Sequence, residues 1–318
     1  MKQKIIIWAS VVLLLVVVAF MVMDFFFQPK SSNENPYEYK LDKLKYIDTS
    51  LIKYKPFATI TPDLKQIHAI CIDKNDDVYI AGDGVKIFDS DLKSVSNFAD
   101  GKEVRCIAIA DGNIYLGIQD HIEIFDAKGK SVTSWKAVNE KSVLTSIAIS
   151  DKFVYVADAG NRIVYQYNKL GELVKEIGKK NAENGIQGFV IPSPYFDLLI
   201  GREGELWVVN PGRHQFESYN ENGDQISSWA KTSMSIEGFS GCCNPSNIAM
   251  LSDGSFVTSE KGIERVKIHH PWGEFNCVVA SPENFVEGTQ GIDLAVDSKD
   301  RIYVLDPEKK EINIYTKK

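Results

Sequence analysis

This sequence has few cysteines and no excess of positive charge, and each of these two features excludes a class of protein. Five cysteines among 318 residues are too few for a scaffold built on disulfides, and their odd number leaves at least one thiol unpaired in a monomer. The 36 lysine and arginine residues are outnumbered by 43 aspartate and glutamate residues, for a formal net charge of -7. Because binding to phosphate backbones needs a concentrated basic face, we expect no nucleic-acid partner.

Several local motifs of catalysis are also missing from the sequence. It contains no phosphate-cradling glycine loop, no nucleophile-elbow pentapeptide and no HExxH helix. What the chain does have is material for a large core, since 44% of its residues are hydrophobic and 25% are charged. General disorder is therefore excluded.

The N-terminal segment predicts a membrane anchor. Lys2 and Lys4 precede an apolar run from Ile5 to Met23, which as a helix matches the thickness of a bilayer core. No small-x-small cleavage pattern precedes Asp24, which favours an uncleaved anchor over the alternative, a cleaved signal peptide with a soluble product. The lysines keep the N-terminus in the cytoplasm. We therefore expect a single-pass protein of the inner (cytoplasmic) membrane whose remainder lies on the periplasmic or extracellular side.

After a predicted anchor (1–27) and tether (28–50), the sequence is self-similar six times, and this repeat predicts the fold of residues 51–318. Each copy has short runs rich in β-branched and aromatic residues between tight turns, which is typical of antiparallel strands. Six equivalent positions are separated by 37, 40, 51, 50 and 46 residues, the spacing of four-stranded propeller blades. These positions are Ile70, Ile107, Ile147, Leu198, Ile248 and Leu294. The predicted fold class is an all-β, six-bladed β-propeller.

The last copy supplies only three strands, whereas an orphan strand from Leu51 to Ile60 precedes the first copy. We expect this N-terminal strand to become the outer strand of the last blade and to close the ring. Pro56 is tolerated there because an outermost strand has a free edge. The alternative is an open β-solenoid or sandwich, which leaves the position of the missing strand unexplained.

The third copy carries a family resemblance. Its segment from Val154 to Ile163, Val-Tyr-Val-Ala-Asp-Ala-Gly-Asn-Arg-Ile, resembles the signature of NHL-repeat propellers. The segments 239–247 and 259–267 also resemble a bacterial, membrane-anchored or secreted subgroup of NHL-like proteins. The resemblance implies a fold first and binding second, because members range from protein-interaction scaffolds to an amidating lyase and lactonase-like relatives.

Alignment of the repeats places polar residues in columns on the face where the long connections 179–194, 231–245 and 281–290 also lie. Enlarged loops on a constant scaffold are common sites of function. One column holds Asp158, Asn210, Glu260 and Asp306, and a second includes Arg162 and His214. The columns either bind a ligand or tie their own hairpins by side-chain to backbone bonds. As ligands, the first column would form a lactonase-like calcium site, whereas only His214 is placed for zinc.

Two adjacent cysteines, Cys242 and Cys243, precede Asn244 on the loop into the fifth blade. They can form a vicinal disulfide, bind a soft metal ion, or bridge to Cys277 on the outer strand of the same blade. Cys71 and Cys106 align with small core residues instead.

Three functional hypotheses follow. The leading one is a membrane-tethered extracytoplasmic propeller, a binding protein rather than an enzyme, that binds a partner protein or small ligand through the loop face of blades three to six without a required cofactor. A second is a calcium- or zinc-dependent hydrolase or lyase. The third is a redox accessory protein that uses Cys242 and Cys243.

Overall fold

The computed structural model describes residues 2–27, 44–183 and 185–318, which belong to two units, 1–41 and 42–318. In the first unit, α1 (Lys2–Phe27) is a helix. A search of the described ranges finds no helix with the length and hydropathy needed to cross a membrane. The predicted anchor is therefore not supported by this finding, and residues 28–43 of the predicted tether lie outside the described residues.

The second unit consists of six four-stranded antiparallel sheets, and the predicted six-bladed propeller is confirmed. The blades, from inner to outer strand, are as follows. Blade one contains β2 (Ile67–Ile72), β3 (Val78–Gly82), β4 (Val85–Phe88) and β5 (Ser94–Phe98). Blade two contains β6 (Cys106–Ala110), β7 (Asn113–Ile118), β8 (His121–Asp126) and β9 (Ser131–Trp135). Blade three contains β10 (Leu144–Ile149), β11 (Phe153–Asp158), β12 (Ile163–Asn168) and β13 (Leu173–Ile177).

The remaining blades follow the same order. Blade four contains β14 (Leu198–Ile200), β15 (Leu206–Asn210), β16 (Gln215–Tyr219) and β17 (Gln225–Ala230). Blade five contains β18 (Asn247–Met250), β19 (Phe256–Glu260), β20 (Arg265–His269) and β21 (Phe275–Ala280). Blade six contains β22 (Asp293–Val296), β23 (Ile302–Asp306), β24 (Glu311–Lys317) and β1 (Tyr54–Ile60). Short 3-10 turns occur at Thr49–Leu51, Pro211–Arg213 and Pro282–Asn284.

Blade six is completed by both ends of the propeller sequence. Strand β1 pairs antiparallel with β24, from Tyr54 opposite Lys317 to Ile60 opposite Ile312. The register shifts between Pro56 and Ala58, where a bulge accommodates the proline on the outermost strand. The six sheets therefore form a closed ring rather than an open solenoid or sandwich.

The hydrophobic core is divided into six clusters, each of which lies between two neighbouring blades. Between blades two and three, for example, the Trp135 ring packs against the rings of Tyr115 and Tyr167, with centroids 5.8 and 5.4 Å apart. Since one face of each sheet is buried against the next sheet, no blade buries its apolar surface alone.

A turn glycine completes this contact between blades two and three. Gly171, in the turn between β12 and β13, has a φ of 86°, in the region that glycine adopts without strain. A Cβ atom there would lie 2.5 Å from Trp135 Nε1. Gly204 has the same φ of 86° but nothing within 4 Å of such a Cβ. Comparison of the two positions therefore separates two reasons for glycine: the positive φ, which both share, and the space next to Trp135, which only Gly171 needs.

We expect Gly204→Ala to lower the free energy of unfolding by about 1 kcal/mol through backbone strain alone. Gly171→Ala adds a clash with the Trp135 ring, and we expect a total loss of about 2 kcal/mol or more. Urea unfolding of both variants measures the difference. Equal losses would show that the glycine–tryptophan contact contributes nothing to the packing of the two blades.

Candidate functional site

Asp158 and Asn210, at the ends of β11 and β15, are both fully buried and bind backbone amides of the loops entering their own blades. Asp158 Oδ1 accepts hydrogen bonds from the backbone N–H groups of Val143 and Asn161, both at 3.0 Å. Asn210 Oδ1 accepts one from Val190 N at 2.9 Å, and its Nδ2 donates to Glu217. Both side chains thus hold the connection that enters their blade by side-chain to backbone bonds, and their role in ligand binding stays a prediction.

Glu260 and Asp306 are also occupied by neighbouring groups. The buried Glu260 carboxylate pairs with Arg265 Nε at 2.7 Å and with Lys267 Nζ at 2.8 Å. The Lys267 ammonium in turn donates to the carbonyl of Gly238 at 2.6 Å, which anchors the long loop into blade five. Asp306 Oδ1 accepts two backbone N–H groups of its own turn, and burial raises the pKa of this carboxyl.

Arg162 and His214, from the second predicted column, have different surroundings. Arg162 is exposed and has a φ of 57° in a tight turn. The ring of His214 lies between two partners: Nδ1 is 3.0 Å from Thr232 Oγ1 and Nε2 is 2.5 Å from the carbonyl oxygen of Gly241. Since the carbonyl can only accept, Nε2 carries the proton and donates to it. His214 therefore fixes the loop that contains the two adjacent cysteines.

The central channel contains polar residues that were missing from the predicted site. A cavity of about 400 Å³ is lined by the inner strands of all six blades. In blades three to six its wall contains a set of polar residues that we call the channel ring: Ser146, Asp197, Asn247 and Asp293. In the sequence each precedes the aligned apolar position of its repeat by one residue, and this recurrence is the signal that could have revealed them.

The two carboxylates of the channel ring join blades four, five, six and one by hydrogen bonds between neighbouring blades. Asp197 in blade four accepts a hydrogen bond from Ile248 N of blade five at 2.7 Å. Asp293 in blade six accepts one from Ile70 N of blade one at 2.8 Å, and its other oxygen accepts one from Asn247 Nδ2 at 3.1 Å. These groups thus stabilise the ring while they line its channel.

The electrostatics of the ring make two charged carboxylates costly. Burial raises the pKa of Asp197 to about 6. Burial, and then repulsion from Asp197, raises the pKa of Asp293 to about 7. Each shift disfavours the ionised form of its carboxyl. A cation in the channel would therefore stabilise the two ionised carboxylates near neutral pH.

One end of the channel opens into a second cavity of about 200 Å³, which we call the channel mouth. Its lining includes His68, Arg105, Tyr195, Asn247 and Gln290. Two buried polar atoms of this lining, His68 Nε2 and Asn247 Oδ1, have no hydrogen-bond partner. Burial lowers the pKa of His68, which favours the neutral imidazole. The mouth therefore combines unsatisfied hydrogen-bonding groups with access to the acidic ring.

The cysteine loop adjoins the channel mouth. Lys261 Nζ lies 4.9 Å from the centre of the Tyr195 ring, and Asn244 binds both backbone groups of Lys261. The Cys242 and Cys243 sulfurs are 3.1 Å apart, and all five cysteines are free thiols. Cys277 is buried in the core between blades five and six.

In the ranges 2–27, 44–183 and 185–318, no three His, Cys, Asp or Glu side chains are grouped so as to hold a metal ion. Calcium or zinc binding stays a prediction.

Comparison with known proteins identifies the fold alone. No family model and no curated protein matches the sequence. Among solved structures, a streptogramin B lyase is 12% identical with a TM-score of 0.55 over 81% of each chain. Virginiamycin B lyase from Staphylococcus aureus is 13% identical, with a TM-score of 0.56 over 83% of this chain and 99% of that one. A protein of unknown function from Bacteroides thetaiotaomicron is 13% identical, with a TM-score of 0.59 over 83% and 72%.

The raised pKa values predict a pH dependence of stability. Aspartates of the unfolded chain titrate near pH 4, so between about pH 4 and the folded values of about 6 and 7 the folded state binds more protons. The free energy of unfolding due to this pair should therefore fall as pH rises across that window, by at most about 1.4 kcal/mol per pH unit and carboxyl.

Unfolding titrations of wild type and Asp293→Asn from pH 4 to 8 measure this effect. The asparagine keeps an acceptor for Ile70 N, and we expect it to remove the part of the slope that is due to Asp293. The exposed Asp151→Asn, with the same change in charge, should retain the wild-type slope. Parallel curves for wild type and Asp293→Asn would contradict the assignment.

Proposed function

We propose that the propeller is a binding domain that takes a positively charged group of its ligand, an ammonium or guanidinium group of a partner protein or small molecule, through the channel mouth to the channel ring. The observation that carries this proposal is the pair Asp197, which is buried, and Asp293, which is partly buried: their carboxyls line one cavity and have raised pKa values.

The energetics of the ring favour a cationic ligand. A carboxylate in a poorly hydrated site is stabilised by a nearby opposite charge, which lowers its pKa and makes the ionised form the stable one. A cation at the ring would thus recover free energy that both carboxyls lose on burial. Asn247 Oδ1, a buried acceptor without a donor, suits the N–H groups of the same cation.

The arrangement also supports specificity. The mouth, at about 200 Å³, is smaller than the cavity of about 400 Å³ at the ring, and the two share His68, Arg105 and Asn247 in their linings. A flexible alkyl chain with a terminal cation suits this shape, because its stem can lie against the apolar inner strands while its head reaches the carboxylates. A lysine or arginine side chain of a partner meets this description.

Isothermal titration calorimetry on the full chain in detergent tests the proposal, with capped tripeptides that contain a central lysine or, as a control of similar length, a central norleucine. At pH 7 we expect the lysine peptide to bind at least tenfold more tightly, a difference of about 1.4 kcal/mol. We also expect binding to release protons, because Asp293 and Asp197 ionise. Heats measured in buffers of different ionisation enthalpy detect this release.

Asp293→Asn should weaken binding of the lysine peptide at least tenfold and reduce proton release, whereas Asp151→Asn should bind like wild type. Equal affinities for the lysine and norleucine peptides, or an Asp293→Asn variant that binds like wild type, would contradict the proposal.

We further propose that the chain is a single-pass membrane protein with its NHL-type propeller on the extracytoplasmic side. The support is in the sequence: two lysines precede an apolar run from Ile5 to Met23, and the Val154–Ile163 segment resembles the NHL signature. A membrane tether would raise the effective concentration of the propeller near membrane-bound partners.

Fractionation of cells that express the full chain tests this tether. We expect the protein to stay with the membranes in alkaline carbonate, and a variant that lacks residues 1–27 to be released. Added protease should digest the propeller in spheroplasts, where the cytoplasmic membrane is intact. Protection of the propeller, or extraction of the full chain by carbonate, would contradict the proposed topology.

A further inference from the structure

Cys242 and Cys243 form a dithiol of unequal accessibility. Their sulfurs lie 3.1 Å apart, Cys242 is exposed, and Cys243 is 1% exposed. An exposed sulfur beside a buried one is the arrangement that disulfide exchange needs, because one sulfur meets the substrate and the other resolves the mixed disulfide.

The loop that holds the dithiol is fixed on both sides. Asn244 donates to the carbonyl of Ser240 at 2.8 Å and to that of Lys261 at 3.0 Å, and it accepts from Lys261 N at 2.9 Å. On the other side, His214 donates to the carbonyl of Gly241. The residues before and after the dithiol are thus tied to blades four and five, which holds the sulfurs together at the rim of the channel mouth.

The surroundings of the dithiol favour a thiolate. Burial acts to raise the pKa of Cys243, but hydrogen bonds with Ser193 and Cys242 and the positive charge of Lys261 outweigh it, and the pKa is lowered. The pKa of Cys242 is raised by its hydrogen bond with Cys243, so Cys243 is the more acidic thiol of the two. By contrast, burial raises the pKa of Cys71 to about 12 and that of Cys277 to about 11. Reactivity is therefore concentrated at the dithiol.

We propose that Cys242 and Cys243 are a thiol–disulfide exchange site whose substrate is a disulfide, in a small molecule or an exposed protein segment. Cys242 gives up its proton, and its thiolate attacks one substrate sulfur and expels the other as a thiolate. Cys243 then loses its proton and attacks Cys242, which releases the second substrate thiolate. The two expelled thiolates take up the two protons.

The electron balance of this reaction is complete. One Cys242–Cys243 bond forms, one substrate disulfide breaks, and two electrons pass from the dithiol to the substrate. A disulfide between adjacent residues closes a small strained ring, and strained disulfides are readily reduced. The site should therefore cycle with an external dithiol as reductant.

The test uses the full chain in detergent, oxidised glutathione as the substrate disulfide and dithiothreitol as the reductant. After oxidation we expect the peptide with both cysteines to lose about 2 Da and two alkylatable thiols, and dithiothreitol to restore both. Cys243→Ser lacks the resolving sulfur, so it should accumulate a glutathione adduct on Cys242. Cys277→Ser should behave like wild type.

The role of Lys261 has a separate readout. Lys261→Met removes the positive charge beside Cys243, so the pH at which alkylation of the dithiol reaches half its maximal rate should rise. An unchanged pH profile would contradict the role given to the Lys261 charge.

Three results on folded wild-type protein would each overturn the exchange site itself. These are a dithiol that stays reduced in excess oxidised glutathione, a Cys242 bridge to Cys277, or an oxidised form that dithiothreitol does not reduce.

Discussion

The pairing of β1 with β24 is the constraint on which the rest of the structure depends. Every core cluster lies between two blades, so a blade without a neighbour on one side exposes the apolar face of its sheet. The outer strand of blade six comes from the N-terminal end of the propeller sequence, and its ladder with β24 joins the two ends of the chain segment. Strand β1 also covers the edge of β24 and itself becomes the outermost strand of the blade.

Closure also produces the chemistry of the channel. The inner strands of six blades surround one cavity, and the carboxylates of Asp197 and Asp293 are held there because each accepts a backbone amide of the following blade. The same bonds that join the blades therefore hold two acids in the wall of one cavity. Their raised pKa values are a consequence of the ring geometry, and they are the physical basis for the cationic ligand proposed here.

The six apolar positions at blade spacing were sufficient to predict the fold, because strand periodicity and turn residues are local signals. The repeat alignment also found Asp158 and Asn210. Their roles depend on the backbone amides of Val143 and Val190, which lie on loops that are not part of the repeat and so could not be placed from the sequence. Asp197 and Asp293 were visible beside the aligned positions, yet burial and mutual repulsion arise only when the blades meet. Likewise, the sequence shows Cys242 and Cys243 as adjacent residues, but Lys261 and Ser193 are brought close to them only by the tertiary structure.

Hydrogen–deuterium exchange of the full chain, read by mass spectrometry, tests ring closure most directly. The account predicts that residues 54–60 and 311–317 are protected together, and that deletion of residues up to Ile60 removes the protection of 311–317. If residues 54–60 exchange at the rate of an unfolded peptide while 311–317 stay protected, the ring is not closed by β1, and the account of the channel is contradicted.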